Sequence, residues 1–364
     1  MRSNLFQWGI IYDHRNQKRI KSHLPTESSI KEKSSVNMIQ IACGTNFTIV
    51  LNSDGRILVV GDEPKHGRLG LGDQTTIAPQ LTYINNDLPP MDFISCGPAT
   101  TILVTQNRRE LWAFGKGIGP IVTRIYQNEK IITHCACNEN SILIVIDGSH
   151  IEERHFNRTG FINDWTCVYR IPNSNDRIQD LDLGSSLGGF ITQLGHIYLW
   201  GIQVPRGRNT TEEQFINISI ESPYQVDLIV DQPMKISCSR GQFHSHALLL
   251  TEQGSIYSIG SNYKGKLGID KSILFTGQWM LIKLTIPYRF QMIAAGGIHS
   301  SALSTDGQVF TWGCGSDGRL GHVESENHRY LYKETEARVV ESLMAHRCIA
   351  IATSYYHMAA IVHV

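Results

Sequence analysis

Short apolar runs alternate with small polar turns along the whole chain, and they do so in one recurring order. A run of small residues ends in Gly or near it: Ile41-Ala42-Cys43-Gly44, Ile94-Ser95-Cys96-Gly97, Leu181-Asp182-Leu183-Gly184, Ile236-Ser237-Cys238, Ile293-Ala294-Ala295-Gly296. A second apolar run follows, then a tight turn such as Asp54-Gly55 or Asp306-Gly307. Next comes a run of the form Phe310-Thr311-Trp312-Gly313. A glycine-rich loop closes the unit: Gly67-Arg68-Leu69-Gly70, Gly265-Lys266-Leu267-Gly268, Gly318-Arg319-Leu320-Gly321. Apolar runs this short, bounded by Gly turns, predict strands joined by hairpins. Asp-Gly supplies the positive φ that a tight hairpin needs. Self-similarity at a long period predicts one supersecondary unit repeated around a ring of sheets, an all-β propeller.

The repeat divides a single domain, residues 1–364, into blades of about 39–90, 91–129, 130–177, 178–233, 234–289 and 290–347, with a last one from 348–364 plus 1–38. The seventh copy opens at Ile349-Ala350-Ile351-Ala352 and stops at Val364 before any Trp-Gly strand. The missing piece, Leu5-Phe6-Gln7-Trp8-Gly9, stands at the other end. The amino-terminal strand is therefore expected to complete the last blade and leave no open sheet. Inner runs carry Ala, Ser, Cys and Gly because strands converge near the axis. Trp8, Trp112, Trp200 and Trp312 are expected farther out, as packing where sheets diverge. The third unit is degraded, residues 150–177 lack the repeat, and 202–233 form a long polar insertion. Long loops on a rigid scaffold often carry binding; Asp164 and Glu212-Glu213 are candidate contacts there.

These motifs resemble the regulator-of-chromosome-condensation (RCC1) repeat family, and the resemblance covers nearly the whole chain. It implies a seven-bladed β-propeller. The family's Gly-x-x-His turn is matched by Gly241/His244, Gly296/His299 and Ser354/His357; Gly44, Gly97 and Gly184 mark the corresponding turns in other blades. These residues are expected to be structural, each His tying down its own turn and the neighbouring blade. The best known members hold a Ran-type small GTPase and release its nucleotide. They share acids just after the Gly of the second and third blades, and a long wedge after the third strand of the second blade. Here the second blade reads Gly97-Pro98-Ala99-Thr100, the third reads Cys137-Asn138-Glu139, and residues 116–121 are too short for a wedge. One subfamily senses light through clustered Trp; Trp165 and Trp279 are isolated here.

Composition narrows the reading. The chain has 33 basic and 33 acidic side chains, so no net field draws it to nucleic acid or membrane. There is no long apolar run and no apolar signal core at the start, which predicts a soluble intracellular protein, cytoplasmic or nuclear. Cys43, Cys96 and Cys238 share one repeat slot and read as small buried thiols. His134-Cys135-Ala136-Cys137 lacks zinc spacing. No Ser-His-Asp set, P-loop or metal cluster appears, so no catalytic residue, cofactor or metal is expected.

One charge pattern stands out. The Gly-x-Leu-Gly slot holds Arg68, Lys266 and Arg319, and Lys65, His66, Lys116, Arg206, Arg208 and Lys264 lie in equivalent loops. These residues are expected to make one propeller face basic. The reading is a monomeric, non-enzymatic interaction scaffold that docks an acidic or small-GTPase partner on that face. The alternatives are an exchange factor or regulator for a Ran-type GTPase, and a substrate-recognition module for a ubiquitin ligase or kinase in trans. Nucleic acid fits poorly, because the loops lack interleaved aromatics and no basic tail follows.

Overall fold

The computed structural model describes residues 3–13, 18–31, 36–62, 67–84, 87–203, 216–228, 231–284, 287–324, 326 and 332–363. These form seven antiparallel sheets, each ordered from an inner to an outer strand. Blade one runs Met38–Gly44, Phe47–Asn52, Ile57–Asp62, Ile77–Tyr83. Blade two runs Met91–Cys96, Thr100–Thr105, Glu110–Gly115, Gly119–Gln127. Blade three runs Ile132–Cys137, Ser141–Ile146, His150–His155, Thr166–Arg170, so residues 150–177 build two strands despite lacking the motif. Blade four runs Ile178–Leu183, Leu187–Thr192, Ile197–Gln203, with Ile216–Ile218 and Tyr224–Gln225 both paired to the third strand. Blade five runs Pro233–Cys238, His246–Thr251, Ile256–Ser261, Phe275–Leu281. Blade six runs Phe290–Ala295, His299–Ser304, Val309–Cys314, Lys333–Val339.

Blade seven joins the two ends of the chain. Arg347–Thr353 and His357–His363 are followed outward by Ser3–Asp13 and then Lys18–Ser28. Trp8 pairs with Met358 and Leu5 with Ile361. The amino-terminal strand thus fills the third place of the last sheet, and closure removes the edge an open ring would expose.

The core lies between blades. Every residue of the second strands is buried in all blades except the last, where His363 is half-buried. Inner strands leave one edge toward the axis, and neighbours cap several of those backbone groups. The Gln40 side chain accepts from Ile94 N–H (3.1 Å) and donates to Ile94 O (3.2 Å). The Ser237 hydroxyl accepts from Ala295 N–H at 3.0 Å. Pairing these groups avoids the cost of burying bare amides.

The Gly-x-Leu-Gly loop explains itself through the next blade. Leu69, Leu267 and Leu320 are buried. The glycine that follows each lies against the large ring of the next third strand. A Cβ on Gly70 would stand 3.0 Å from Phe114, one on Gly268 3.0 Å from Trp312, and one on Gly321 3.1 Å from Trp8. The same register corrects one expectation. In blade two Phe114, not Trp112, fills the slot before the glycine, pairing with Thr101 as Trp312 pairs with Ser300. Trp112 is half-buried two residues earlier, its indole N–H donating to Glu110. Among the described residues no helix is long and apolar enough to cross a membrane.

Candidate protein-interaction face

Strand direction puts the turn between inner and second strands on the same face as the loop after the third strand. The first turn is built alike in most blades. The N–H of Gly97, Asn138, Gly184, Gly296 and Ser354 each donates to the residue three ahead. Gly44 turns the same way under Phe47, whose ring would meet a Gly44 Cβ at 2.1 Å. This fixes the register of blade three: Glu139 stands where Pro98 stands in blade two.

Blade five differs, and Gly241/His244 do not form the expected turn. Ser239 N–H donates to His246 O, so Ser239 and His246 occupy the places of Gly296 and His299, with six residues between them instead of two. His246 opens the second strand; His244 sits in the inserted turn with φ 57°. The sequence held a signal for this. In each matching blade the relevant His directly opens the buried strand, as His246 does before residues 247–250.

The three strand-opening imidazoles cross from blade to blade. His246 Nε2 hydrogen-bonds Ser300 Oγ (2.9 Å), His299 Nε2 bonds Thr353 Oγ1 (2.6 Å), and His357 Nε2 bonds Thr48 Oγ1 (3.1 Å). All three are buried, and burial holds each well below its ordinary pKa, His357 at about 4. Neutral imidazoles buried in these junctions are structural groups.

The expected basic ring is corrected in part. Lys266 and Arg319 are 0% and 2% exposed. Lys266 Nζ donates to His244 O, and burial lowers its pKa to about 7. Arg319 donates to Ser316 O (2.8 Å), Tyr355 O (3.1 Å) and the Asp317 carboxylate (3.1 Å). Both brace turns rather than present charge, because the slot between blades is already enclosed. Lys65, His66, Arg206, Arg208 and Glu212-Glu213 lie outside the described residues. Arg68, Lys116 and Lys264 are half-buried, and Asp164 is fully exposed with Arg154 at 3.8 Å.

The sequence reading missed Arg158. The loops after the third strands of blades one, two and three stack on one another: Leu71 bridges Ile121, and Gly117 lies against Asn157 O. That stacking gathers Arg68, Lys116 and exposed Arg158. Lys116 Nζ donates to Glu139 O (2.8 Å) and Asn140 Oδ1 (3.2 Å). Burial first, then Arg158 and Arg68 against the opposing pull of Glu139, lowers its pKa. Only proximity in the fold brings these three loops together.

The axial channel opens on this face through a cavity of roughly 280 Å3, lined by turns of blades one, two, three, five and seven. Deeper in the channel Arg240 reaches Asp182 Oδ1 (2.9 Å) and Leu183 O (2.5 Å). Asp182 also accepts from Cys238 N–H (2.7 Å), and Asp180 from Ile236 N–H (2.8 Å). Burial, against the pull of Lys235, raises Asp180 to about 6. Cys96, Cys137 and Cys238 end their inner strands, and Cys43 stands one residue before the end of its own, all as buried thiols.

Seven radial sheets, closed by strands from both termini and pinned at their junctions, define a propeller whose loops are free to meet partners. The regulator of chromosome condensation (RCC1) repeat matches residues 306–361 and 38–67. The chain is an RCC1-like seven-bladed β-propeller. It is 24% identical to the Xenopus laevis regulator of chromosome condensation, over 80% of this chain and 74% of that one. It is 23% identical to the human E3 ubiquitin-protein ligase HERC2 over 99% of its length, but spans only 6% of that protein. In fold it is similar to Prp20p from Saccharomyces cerevisiae, with a TM-score of 0.80, 15% identity, and 100% and 92% of the two chains covered. That structure is described with its binding to Gsp1p and histones.

Proposed function

We propose that the chain is a non-enzymatic protein-interaction scaffold, docking its partner on the face that carries the first turns and the loops after the third strands. The observation that carries this is the apolar surface on one blade's tips. Phe243, Leu274 and Tyr263, all in the loops of blade five on that face, are 71%, 78% and 44% exposed. Large apolar side chains grouped on a rigid surface mark interaction sites. The Prp20p relative binds partners with the same fold. Eight unpaired cysteines, seven of them buried, fit an intracellular setting. Substrate recognition in trans, beside a ubiquitin ligase or kinase, is one form of the same docking.

A test replaces Phe243 and Leu274 by Asp. Both are exposed, so melting is expected to stay unchanged while affinity capture from native lysate loses its partners. Unchanged capture overturns the reading.

The second reading is a regulator of a Ran-type GTPase. Glu139 supports it, standing just after the turn position of blade three, where the family places an acid. Against it, blade two carries Pro98 at that place, and a five-residue hairpin, Gly115 to Gly119, replaces the wedge. We expect no strong nucleotide release from a panel of labelled small GTPases. Acceleration of several hundred-fold establishes the second reading instead.

A further inference from the structure

The turn of blade five holds six residues where the corresponding turns hold two, and it is fastened at many points. Arg240 N–H donates to Gly296 O (3.2 Å). Ser185 Oγ donates to Arg240 O (2.9 Å) and Ser186 Oγ to Gly241 O (3.3 Å). Ser186 Oγ and Ser245 Oγ share a bond of 2.6 Å. The Lys266 ammonium holds His244 O from below, and the His244 ring stacks on Tyr263 at 4.4 Å and 12°. The Arg240 guanidinium anchors the near end on Asp182 inside the channel. This turn nevertheless leaves the Phe243 ring 71% exposed. A flexible loop can display an apolar ring by accident. A turn braced by three blades presents it in one place, which is how a binding hot spot gains affinity without ordering cost.

Phe243 stands at the channel mouth with Gln242, Tyr355 and Tyr356, on a cavity whose other rim is formed by Thr45, Pro98 and Glu139. A basic cluster stands next to that far rim. Lys116 reaches the Glu139 carbonyl, and Arg158 and Arg68 lie within electrostatic range of Lys116. Among the described residues Glu139 is the acid on that rim, and its carboxylate shares the Ser185 hydroxyl (2.7 Å) with Arg240 O. One side of the mouth is therefore aromatic, and the other has Lys116, Arg158 and Arg68 beside Glu139. A cavity of roughly 280 Å3 admits one or two side chains, not a folded domain.

We propose that the channel mouth docks an extended acidic segment of a partner protein, one apolar side chain packing on Phe243 beside Tyr355 and Tyr356, and carboxylates facing Lys116 and Arg158. The proposal rests on the scaffold reading and adds to it the site and the chemistry of the partner.

The test is selection of a random 16-residue peptide display library on the immobilised full chain, followed by affinity measurement with the selected peptides. Enriched peptides are expected to carry an aromatic or aliphatic residue close to at least two Asp or Glu. Phe243→Ala and the double variant K116E/R158E should each weaken binding about tenfold or more, with unchanged melting. Binding should fall as salt rises, since exposed charges are screened within about 8–10 Å at physiological ionic strength. No enrichment, enrichment of neutral or basic peptides, or affinities untouched by either variant overturns the proposal. So does a nucleic-acid oligomer that binds this mouth while the peptides do not. The scaffold reading falls separately, if the Phe243 and Leu274 to Asp variant still captures its lysate partners.

Discussion

The junctions from blade five through six and seven to blade one are each crossed by an imidazole that meets a hydroxyl of the next blade. At the blade six and seven third strands, Trp312 and Trp8 also fill cups made by Gly268 and Gly321. Blade two keeps the cup, Phe114 against Gly70, but the junctions among blades two to four use other bonds in place of the imidazole. Arg108 donates to Thr133 O between blades two and three (3.1 Å), and Asn138 to Gly184 O between three and four (3.4 Å). In blade three, Arg154 and His155 stand where Trp and Gly stand elsewhere, and Arg154 stacks on Phe161 at 3.7 Å. A strong repeat marks a shared way of pinning neighbours. A weak repeat marks local substitutes, and there the loops are freer to diverge. The channel mouth lies where the two halves meet: the braced turn of blade five faces the basic loops of blades two and three.

The sharpest way to break this contrast is to open the ring on its regular side. Removing residues 1–13 takes out the third strand of blade seven, including Leu5 and Trp8, both fully buried. It also leaves residues 357–363 and 18–28 without their shared partner strand. The truncated chain is expected to lose its cooperative thermal transition by circular dichroism and to aggregate through exposed edges. A transition near that of the full chain breaks the argument.

A smaller effect separates the tryptophans. Trp312 is fully buried in its glycine cup, whereas Trp112 is half-buried beside Glu110. Trp312→Ala should cost about 3–5 kcal/mol in denaturant unfolding, in line with large-to-small core changes. Trp112→Ala should cost about 1 kcal/mol, as a partly exposed site allows solvent to refill the space. Equal costs would show that Phe114 does not own the packing slot of blade two.

Legibility followed the same division. Residues 293–296, 310–313 and 318–321 announce their strands because each position is constrained by a neighbouring blade, and Phe6-Gln7-Trp8-Gly9 announces the closing strand for the same reason. Blade three was obscure because Arg154 and His155 break the motif while keeping the strand's alternation. His244 misled because an insertion places two histidines two residues apart. Lys266 and Arg319 misled for a physical reason as well: a glycine-bounded loop looks exposed in sequence, yet these loops are folded into the junction. Arg158 and Phe243 could not be grouped at all, since their meeting at one mouth depends on how five blades surround the axis.

A further effect is a dependence on pH, carried chiefly by the regular half. His246, His299 and His357 are held neutral by burial, with His357 at about 4 against an ordinary value near 6.5. As pH falls below about 6.5 the unfolded chain gains protons that the folded chain refuses. Stability therefore declines from pH 6.5 downward, His357 alone accounting for on the order of 3 kcal/mol by pH 4. His134 and His322, lowered to about 4 by burial, act in the same direction. Asp180 acts oppositely: raised to about 6, it is protonated in the folded state first, so acid relieves its burial between about pH 6 and 4. One carboxyl does not offset this set of imidazoles, and the net slope should be a loss. Urea unfolding from pH 7.5 to 4.5 measures it. His299→Gln should lower stability at neutral pH yet flatten the slope by about one proton, because the group that the unfolded state titrates is gone. Identical slopes for wild type and His299→Gln would mean that the buried belt does not hold its imidazoles neutral, and the contrast between the two halves would lose its electrostatic content.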